Sequence, residues 1–292
     1  MGERISFLAT VLMILLFIPA IVICLFSERE NIKVKNDPDL EDYLVGIVAR
    51  QIPEDYPEEA IKAQVVLARS TWMRKMGDGT VTEEDWKKTA EDLRVRMNVR
   101  DFMETYETIK EAVIDTKYEV LTYENLICYG VYHRVSAGHT RNSKDVFEKT
   151  IYEYITGVES VMDQESEDYL TGHYFTPDFL EQEFRNHGMI FSFSDGDEIV
   201  VKTRDAGGYV QNIQIGDTIC TGEEIRQMLH LSSSAFSVEI YDQKIRFLCR
   251  GQGHGMGLSQ YGASRMAKEG STYREILSYY FPRTKIIELE NE

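Results

Sequence analysis

The stretch Arg250-Gly-Gln-Gly-His-Gly-Met-Gly-Leu-Ser-Gln-Tyr-Gly-Ala263 is the most informative segment of this chain. Its glycines fall on alternate positions, 251, 253, 255 and 257, where the missing Cβ admits backbone conformations barred to other residues. Such a run predicts a tight loop with exposed amides close to a ligand. A phosphate cradle is the obvious rival, but the run lacks the Lys-Ser/Thr of a P-loop and the glycine spacing of a dinucleotide fingerprint. A helix is expected to begin near Ser259, with Tyr261, Ala263 and Met266 behind it. His254 has few bulky neighbours in the run. Beside Ser259, Gln260 and Tyr261 it is a candidate to hydrogen-bond a sugar or to orient a catalytic group.

Upstream, Tyr118–Tyr123 and Leu126–Tyr132 read as strands joined by a turn at Glu124-Asn125. A polar loop, Ser136–Ser143, follows them. Further strands are expected at 189–194, 198–203, 209–214, 236–241 and 244–249, with a short helix over Gly222–Leu229. Nearer the N-terminus a helix starts at about Pro38, where Leu40, Leu44, Ile47 and Gln51 recur at helical spacing until Pro53 stops it. A second helix opens at Pro57, carries Glu58 and Glu59 at its positive end, and closes at Gly77. Its apolar face is Ile61, Val65, Ala68 and Trp72. Lys62 and Arg69 share another face with Gln64 to the side, which by spacing alone is a solvated basic stripe. Thr80–Ile114 is charged and helical in pattern, with Trp86, Leu93, Phe102, Tyr106 and Ile109 as anchors. Strands mixed with segregated helices predict an α+β fold with antiparallel sheet.

A composition of 43% hydrophobic and 28% charged residues over 292 positions suits a folded chain with a sizeable core. The net charge of -17 argues against non-specific nucleic-acid binding, because phosphates would be repelled. From Ile5 to Phe26 no residue is charged, about the length needed to cross a hydrocarbon core of ~30 Å. This predicts a single-pass anchor over 1–27, a linker over 28–37, and a domain over 38–292 with a helical insertion at 79–111. A cleaved signal peptide is the rival, and Ile21-Val-Ile-Cys24 has Ile23 where a lipoprotein site needs a small residue. Lys and Arg counts alone would put the N-terminus outside. The cysteines are Cys24, Cys128, Cys220 and Cys249. Cys220 and Cys249 could pair, but spacing does not show it, and buried free thiols are the expectation.

The run 250–263 resembles the C-terminal signature of the SpoIID/LytB family, usually G-R-G-x-G-H-G-V-G-M-S-Q-Y-G-A. Tyr43–Ala49 with Pro53, Glu59–Gln64 and Ala68-Arg69 resemble the family's N-terminal signature. Ala112-Val113, Thr116, Val120–Tyr123 and Ser136–Thr140 resemble its central block, and Gly222–Arg226 with Phe236 the segment before the last motif. The resemblance covers roughly 38–286. It implies a sporulation protein acting on peptidoglycan glycan strands at a wall-facing membrane surface, in company with a cell-wall amidase and sporulation membrane proteins. That localisation overrides the charge count: the C-terminal domain would face the wall or the intermembrane space.

Enzymatic members of the family are lytic transglycosylases, and one glutamate carries their chemistry in a run like A-A-E-M-P. It protonates the glycosidic oxygen and then takes the proton of the muramic-acid C6 hydroxyl, closing an anhydro ring. The matching run here is Ala49-Arg-Gln-Ile-Pro53, so Gln51 stands at the glutamate position. An amide can bind a sugar but cannot shuttle that proton, which implies reduced or lost activity. A non-catalytic glycan scaffold, or an enhancer of an amidase, is the alternative. By the same resemblance Lys62, Gln64, Arg69, Ser136, His254, Ser259, Gln260 and Tyr261 are substrate-binding candidates. His133 and His139 are two candidate metal ligands without a firm third, so no cofactor is expected, with zinc as the alternative.

Overall fold

The computed structural model describes residues 38–53, 55–82, 84–85, 88, 99–147, 152–193 and 198–289. Pro38–Glu288 forms one compact unit. Helix α1 (Pro38–Ala49) leads to α2 (Glu58–Gly77), and α3 (Val99–Asp115) packs on both. α2 is the spine of the unit, because α1, α3, α6 (Gln260–Lys268), α7 (Tyr273–Tyr280) and strand β1 (Glu119–Tyr123) all pack against it. Its Ala63, Val65, Val66 and Leu67 are fully buried. The basic stripe expected on α2 is therefore not solvated: Arg69 is 1% exposed. Its guanidinium donates to both Glu41 carboxylate oxygens and to the carbonyls of Thr116 and Glu119.

The antiparallel sheets are small. β1 pairs with β2 (Leu126–Ile127) on one side and β11 (Lys285–Glu288) on the other. β4 (Leu170–Phe175), β9 (Lys244–Arg250) and β8 (Phe236–Tyr241) form a second sheet. β5 (Ile199–Arg204), β6 (Val210–Ile215) and β7 (Thr218–Thr221) form a third. The second and third sheets share a core with α4 (Pro177–Asn186) and α5 (Gly222–Met228), built on Phe184, Ile213, Ile225 and Phe247. The expected Glu124-Asn125 turn is present, with φ of 50° and 64°, the signature of a hairpin whose two central residues are left-handed.

Three expectations need correction. The mixed helix and antiparallel-sheet domain is present, but no helix among the described residues is long and apolar enough to cross a membrane. α2 has the length and carries too many charges, α1 is too short, and the segment 5–26 lies outside the described residues. The fold of the described chain therefore contains no membrane-spanning helix. Second, 189–193 form no strand. Met189 and Phe191 are buried and Ile190 is 90% exposed, an alternation that arises because this segment caps α4. There Met189 N–H donates to Phe184 C=O and Phe193 N–H to the Glu181 carboxylate. Third, the strand expected over 126–132 breaks into β2 and β3 (Tyr132–His133). Between them Gly130 lies against α2, where a Cβ would collide with the Leu67 carbonyl.

Two devices hold the glycine-rich loop in place. The four alternate glycines 251, 253, 255 and 257 all take positive φ, 76°, 109°, 79° and 70°. This lets the loop run beside the central segment 131–141, bridging Val135 to Gln252 and Arg141 to Met256. Past the loop, β10 (Leu258–Ser259) pairs in parallel with β3. The second device is a buried ion pair. Arg141 Nε donates to Asp205 Oδ2 at 2.6 Å, with the two side chains 3% and 0% exposed. The Arg141 guanidinium also sits 4.7 Å from the Tyr209 ring centroid, and the Tyr209 hydroxyl accepts from Ala137 N–H at 3.0 Å. Cys128, Cys220 and Cys249 are free thiols.

Candidate functional site

Gln51 sits in the turn that closes α1, where its N–H donates to Val48 C=O at 2.8 Å. Two other side-chain amides meet it, one at its side chain and one at its backbone carbonyl. Gln64 Nε2 donates to Gln51 Oε1 at 2.9 Å. Gln260 Nε2 donates to the Gln51 backbone carbonyl at 2.5 Å and to Gln64 Oε1 at 3.2 Å. Gln64 is 0% and Gln260 3% exposed, so both support Gln51 from behind. In front of Gln51 opens a cleft of ≈ 380 Å³, lined by Ile47, Arg50, Ala68, Thr71, Trp72, Lys75, Gly130 and Tyr132. No carboxylate lines it among the described residues, and Arg50 and Lys75 make that lining basic on an acidic chain.

Sequence reasoning missed most of that lining. Ala68, Thr71, Trp72 and Lys75 follow the i, i+3, i+4, i+7 spacing of one helix face, so a signal was available once that face was known to border a cleft. Trp72, expected in the core, is half-buried with Lys75 Nζ 5.5 Å from its ring centroid. None of the predicted binders Lys62, Gln64, Arg69, Ser136, His254, Ser259, Gln260 and Tyr261 is among the residues lining the cleft, and Lys62 and Arg69 are engaged elsewhere. Lys62 Nζ is held by Glu58 at 2.6 Å, Asp115 at 2.9 Å and Glu59 at 3.2 Å. Burial disfavours its charge, but those carboxylates outweigh it and hold the lysine above its ordinary pKa. Arg69 is spent on Glu41 and backbone carbonyls.

Ser136 and Ser259 meet at a carboxylate that sequence reasoning also missed. Asp163 Oδ2 accepts from Ser136 N–H and Oδ1 from Ser259 Oγ, both at 2.8 Å. Burial raises the Asp163 pKa, opposed by these hydrogen bonds. Tyr261 is half-buried at the start of α6, its N–H donating to Arg134 C=O at 3.0 Å. No periodicity marks Asp163, because it lies in a 3-10 turn, Val161–Glu165.

His254 proves to be internal to the loop. Its Nδ1 accepts from Met256 N–H at 3.1 Å, and its ring also bonds the Tyr132 backbone. It thereby ties the glycine-rich loop to a wall of the cleft. His133 Nδ1 donates to Met256 C=O at 2.9 Å, and its buried Nε2 has no partner among the described residues. His139 Nδ1 donates to Thr140 C=O at 2.6 Å. No group of three or more His, Cys, Asp or Glu among the described residues is placed to hold a metal ion.

His133 of β3 and His254 of the glycine-rich loop, 5.9 Å apart between ring centroids, set an acid limit on stability. Burial pushes His133 down to about 3 and His254 down to about 4. Glu223 opposes the shift at His254, while Arg226 and Arg141 add to it. Both folded pKa values lie below the unfolded one, so the unfolded chain binds protons that the fold refuses. The stability is complete above about pH 6.5 and is lost as pH falls toward 4, at roughly 1.4 kcal/mol per pH unit for each histidine. Urea midpoints of the wild type should fall between pH 7 and pH 5, and His254→Gln should show about half the slope. Equal slopes would remove His254 from the account.

Comparison with known proteins matches residues 28–123 to the family described as "SpoIID: Stage II sporulation protein". The chain is 32% identical over 273 residues to stage II sporulation protein D of Bacillus subtilis (strain 168), covering 89% of this chain and 77% of that one. It is 28% identical over 274 residues to stage II sporulation protein D of Bacillus amyloliquefaciens, with the same coverage of 89% and 77%. A shorter match, 36% over 66 residues, covers 22% of this chain and 9% of the amidase enhancer of Bacillus subtilis (strain 168). At 32% identity over 89% of its length, and with a family match that spans α1, α2 and the Gln51 turn, the chain belongs to the stage II sporulation protein D family.

Proposed function

We propose that this protein binds glycan strands of peptidoglycan in the cleft between α1, α2 and β3 during sporulation, and that it does so without the glutamate-driven cleavage step. The observation that carries this reading is the side chain at position 51. It is an amide, it is hydrogen-bonded in place by Gln64, and among the described residues no carboxylate stands beside it in the lining. The lining suits a sugar chain. Trp72 and Tyr132 provide aromatic surface against which a pyranose ring can pack, and Arg50 and Lys75 provide charge for acidic sugar substituents. Of the nearby acids Glu54, Glu58 and Glu59, the first lies outside the described residues, and Glu58 and Glu59 are engaged with Lys62, which argues against those two standing in as proton donors. The ligand sets the place of action, the wall side of the cytoplasmic membrane.

The test is a binding measurement. The full chain should bind peptide-stripped glycan strands, and Trp72→Ala should weaken binding about tenfold, the effect of losing one stacking side chain worth ~1–2 kcal/mol. Undiminished binding by Trp72→Ala would move the glycan out of this cleft.

The short similarity to an amidase enhancer favours a second reading, in which the bound strand is presented to a cell-wall amidase. Adding the protein to purified wall and amidase should then raise the rate of stem-peptide release. An unchanged rate leaves strand binding as the whole activity.

A further inference from the structure

The direction of every hydrogen bond behind Gln51 follows from a single backbone group. The Gln51 carbonyl can only accept, so Gln260 must turn its Nε2 toward it. The same Nε2 then meets Gln64 through the Gln64 oxygen, which leaves Gln64 Nε2 to face Gln51. Gln51 therefore meets Gln64 with Oε1. Gln64 and Gln260 are almost completely buried, so no solvent is at hand to satisfy a reversed amide. Reversal of any member would set N–H against N–H or oxygen against oxygen. What remains of Gln51 is Nε2, on the branch away from Gln64 and with no partner among the described residues, in a residue that lines the cleft. Nearby, Thr71 Oγ1 already donates to Leu67 C=O and accepts from Gly130 N–H, while Arg50 and Lys75 are donors by nature.

We propose that Gln64 and Gln260 are positioning residues of an amide relay that makes Gln51 present an N–H donor to the cleft. The ligand atom met there is an acceptor: a sugar carboxylate or an acetamido carbonyl oxygen. The identity of the ligand rests on the glycan reading above, but the direction of the relay does not. Gln51 Nε2–H then stands where the O–H of a protonated carboxylic acid would stand, with the inner oxygen held by Gln64. The relay thus fixes which of the two terminal atoms at position 51 faces the sugar.

The full chain labelled with 13C and 15N glutamine tests both halves. Across-bond scalar coupling from Gln64 Nε2 to Gln51 Cδ is expected. Coupling in the reverse sense, from Gln51 Nε2 to Gln64 Cδ, overturns the relay whether or not sugars bind. The Gln51 Nε2 protons should then shift on titration with N-acetylmuramic acid, which offers a carboxylate, or with chitotetraose, which offers acetamido groups only. The sugar that moves them identifies the acceptor. If either sugar changes Trp72 fluorescence while the Gln51 protons stay put, the donor role is wrong. If neither changes Trp72, the glycan reading fails, and the coupling alone decides the relay. Gln64→Glu still accepts from Gln260 but cannot donate to Gln51, so Gln51 should turn over and affinity should fall about tenfold. Because that variant buries a carboxylate, its fold is checked first. The wild-type coupling decides the question if it fails to fold.

Discussion

Gln51→Glu is expected to turn a strand binder into a strand cutter. Peptide-stripped glycan incubated with this variant should yield anhydro-muramic ends, detected by mass spectrometry, while the wild type yields none. Glutamate and glutamine are nearly isosteric, so the substitution needs no rearrangement of the turn that closes α1. Gln64 Nε2, which now donates to Gln51 Oε1, would hold one carboxylate oxygen and leave the other toward the cleft. That outer oxygen can carry the proton to a glycosidic oxygen and then withdraw one from the C6 hydroxyl. Gaining a general acid–base typically raises a rate by ~10²–10⁴, and the variant should exceed any residual wild-type rate by that factor. If the wild type cuts as fast as Gln51→Glu, another group supplies the proton and the proposed reading of this position is wrong. If neither cuts while both bind, the rest of the cleft no longer aligns a strand for cleavage.

Removing Asp205 should produce the largest loss of stability. Asp205→Ala removes the close ionic partner of the Arg141 guanidinium, which is 3% exposed, and leaves among the described residues only the Glu223 carboxylate at 4.0 Å. It also removes the acceptor of the Tyr209 N–H, bonded to Asp205 Oδ1 at 2.9 Å. Breaking a buried pair by deleting one partner typically costs about 3–5 kcal/mol, because the remaining charge stays buried without compensation. Against a total of about 5–15 kcal/mol for an ordinary domain, that is a large fraction. With a urea slope near ~3 kcal/mol/M for a unit of this size, the midpoint should fall by about 1 M or more. Arg141 and Tyr209 flank the glycine-rich loop, where a Cβ at Gly255 would run into the Tyr209 ring. The damage should therefore reach the loop and weaken glycan binding as well. Arg141→Met with Asp205→Leu, which removes both charges, should recover much of the stability. A double variant as unstable as Asp205→Ala alone would show that the loss comes from packing rather than from the stranded charge.

Much of the chemistry was legible in the sequence because it lies in runs held together by covalent proximity. The alternate glycines of 250–257 announced a loop of unusual backbone, and all four take positive φ. Ala49–Pro53 placed an amide where a carboxylate was expected. Pro57, the acidic first turn and Gly77 bounded α2, and β8 spans the residues its alternation predicted. The misses share one physical cause. Lys62 and Arg69 looked like a solvated stripe because helical spacing says which residues share a face and not what covers it. α3 supplies Asp115 to Lys62, and Glu41 of α1 with the chain leading into β1 covers Arg69. The false strand at 189–193 alternates for a reason periodicity cannot separate from pairing, since two of its residues plug the end of α4.

By itself the sequence determined the local conformations and the residue types offered at each motif: a left-handed glycine loop, helices bounded by their own end residues, hairpins with their turns, and an amide at position 51. Only the tertiary structure decided which of those residues act together. Gln51 is joined to Gln64 across 13 residues and to Gln260 across 209, and Ser259 to Asp163 across 96. Local pattern follows from the covalent geometry of neighbouring residues. Which buried donor finds which acceptor, and which helix face is left to line a cleft, follows from packing the whole unit around α2.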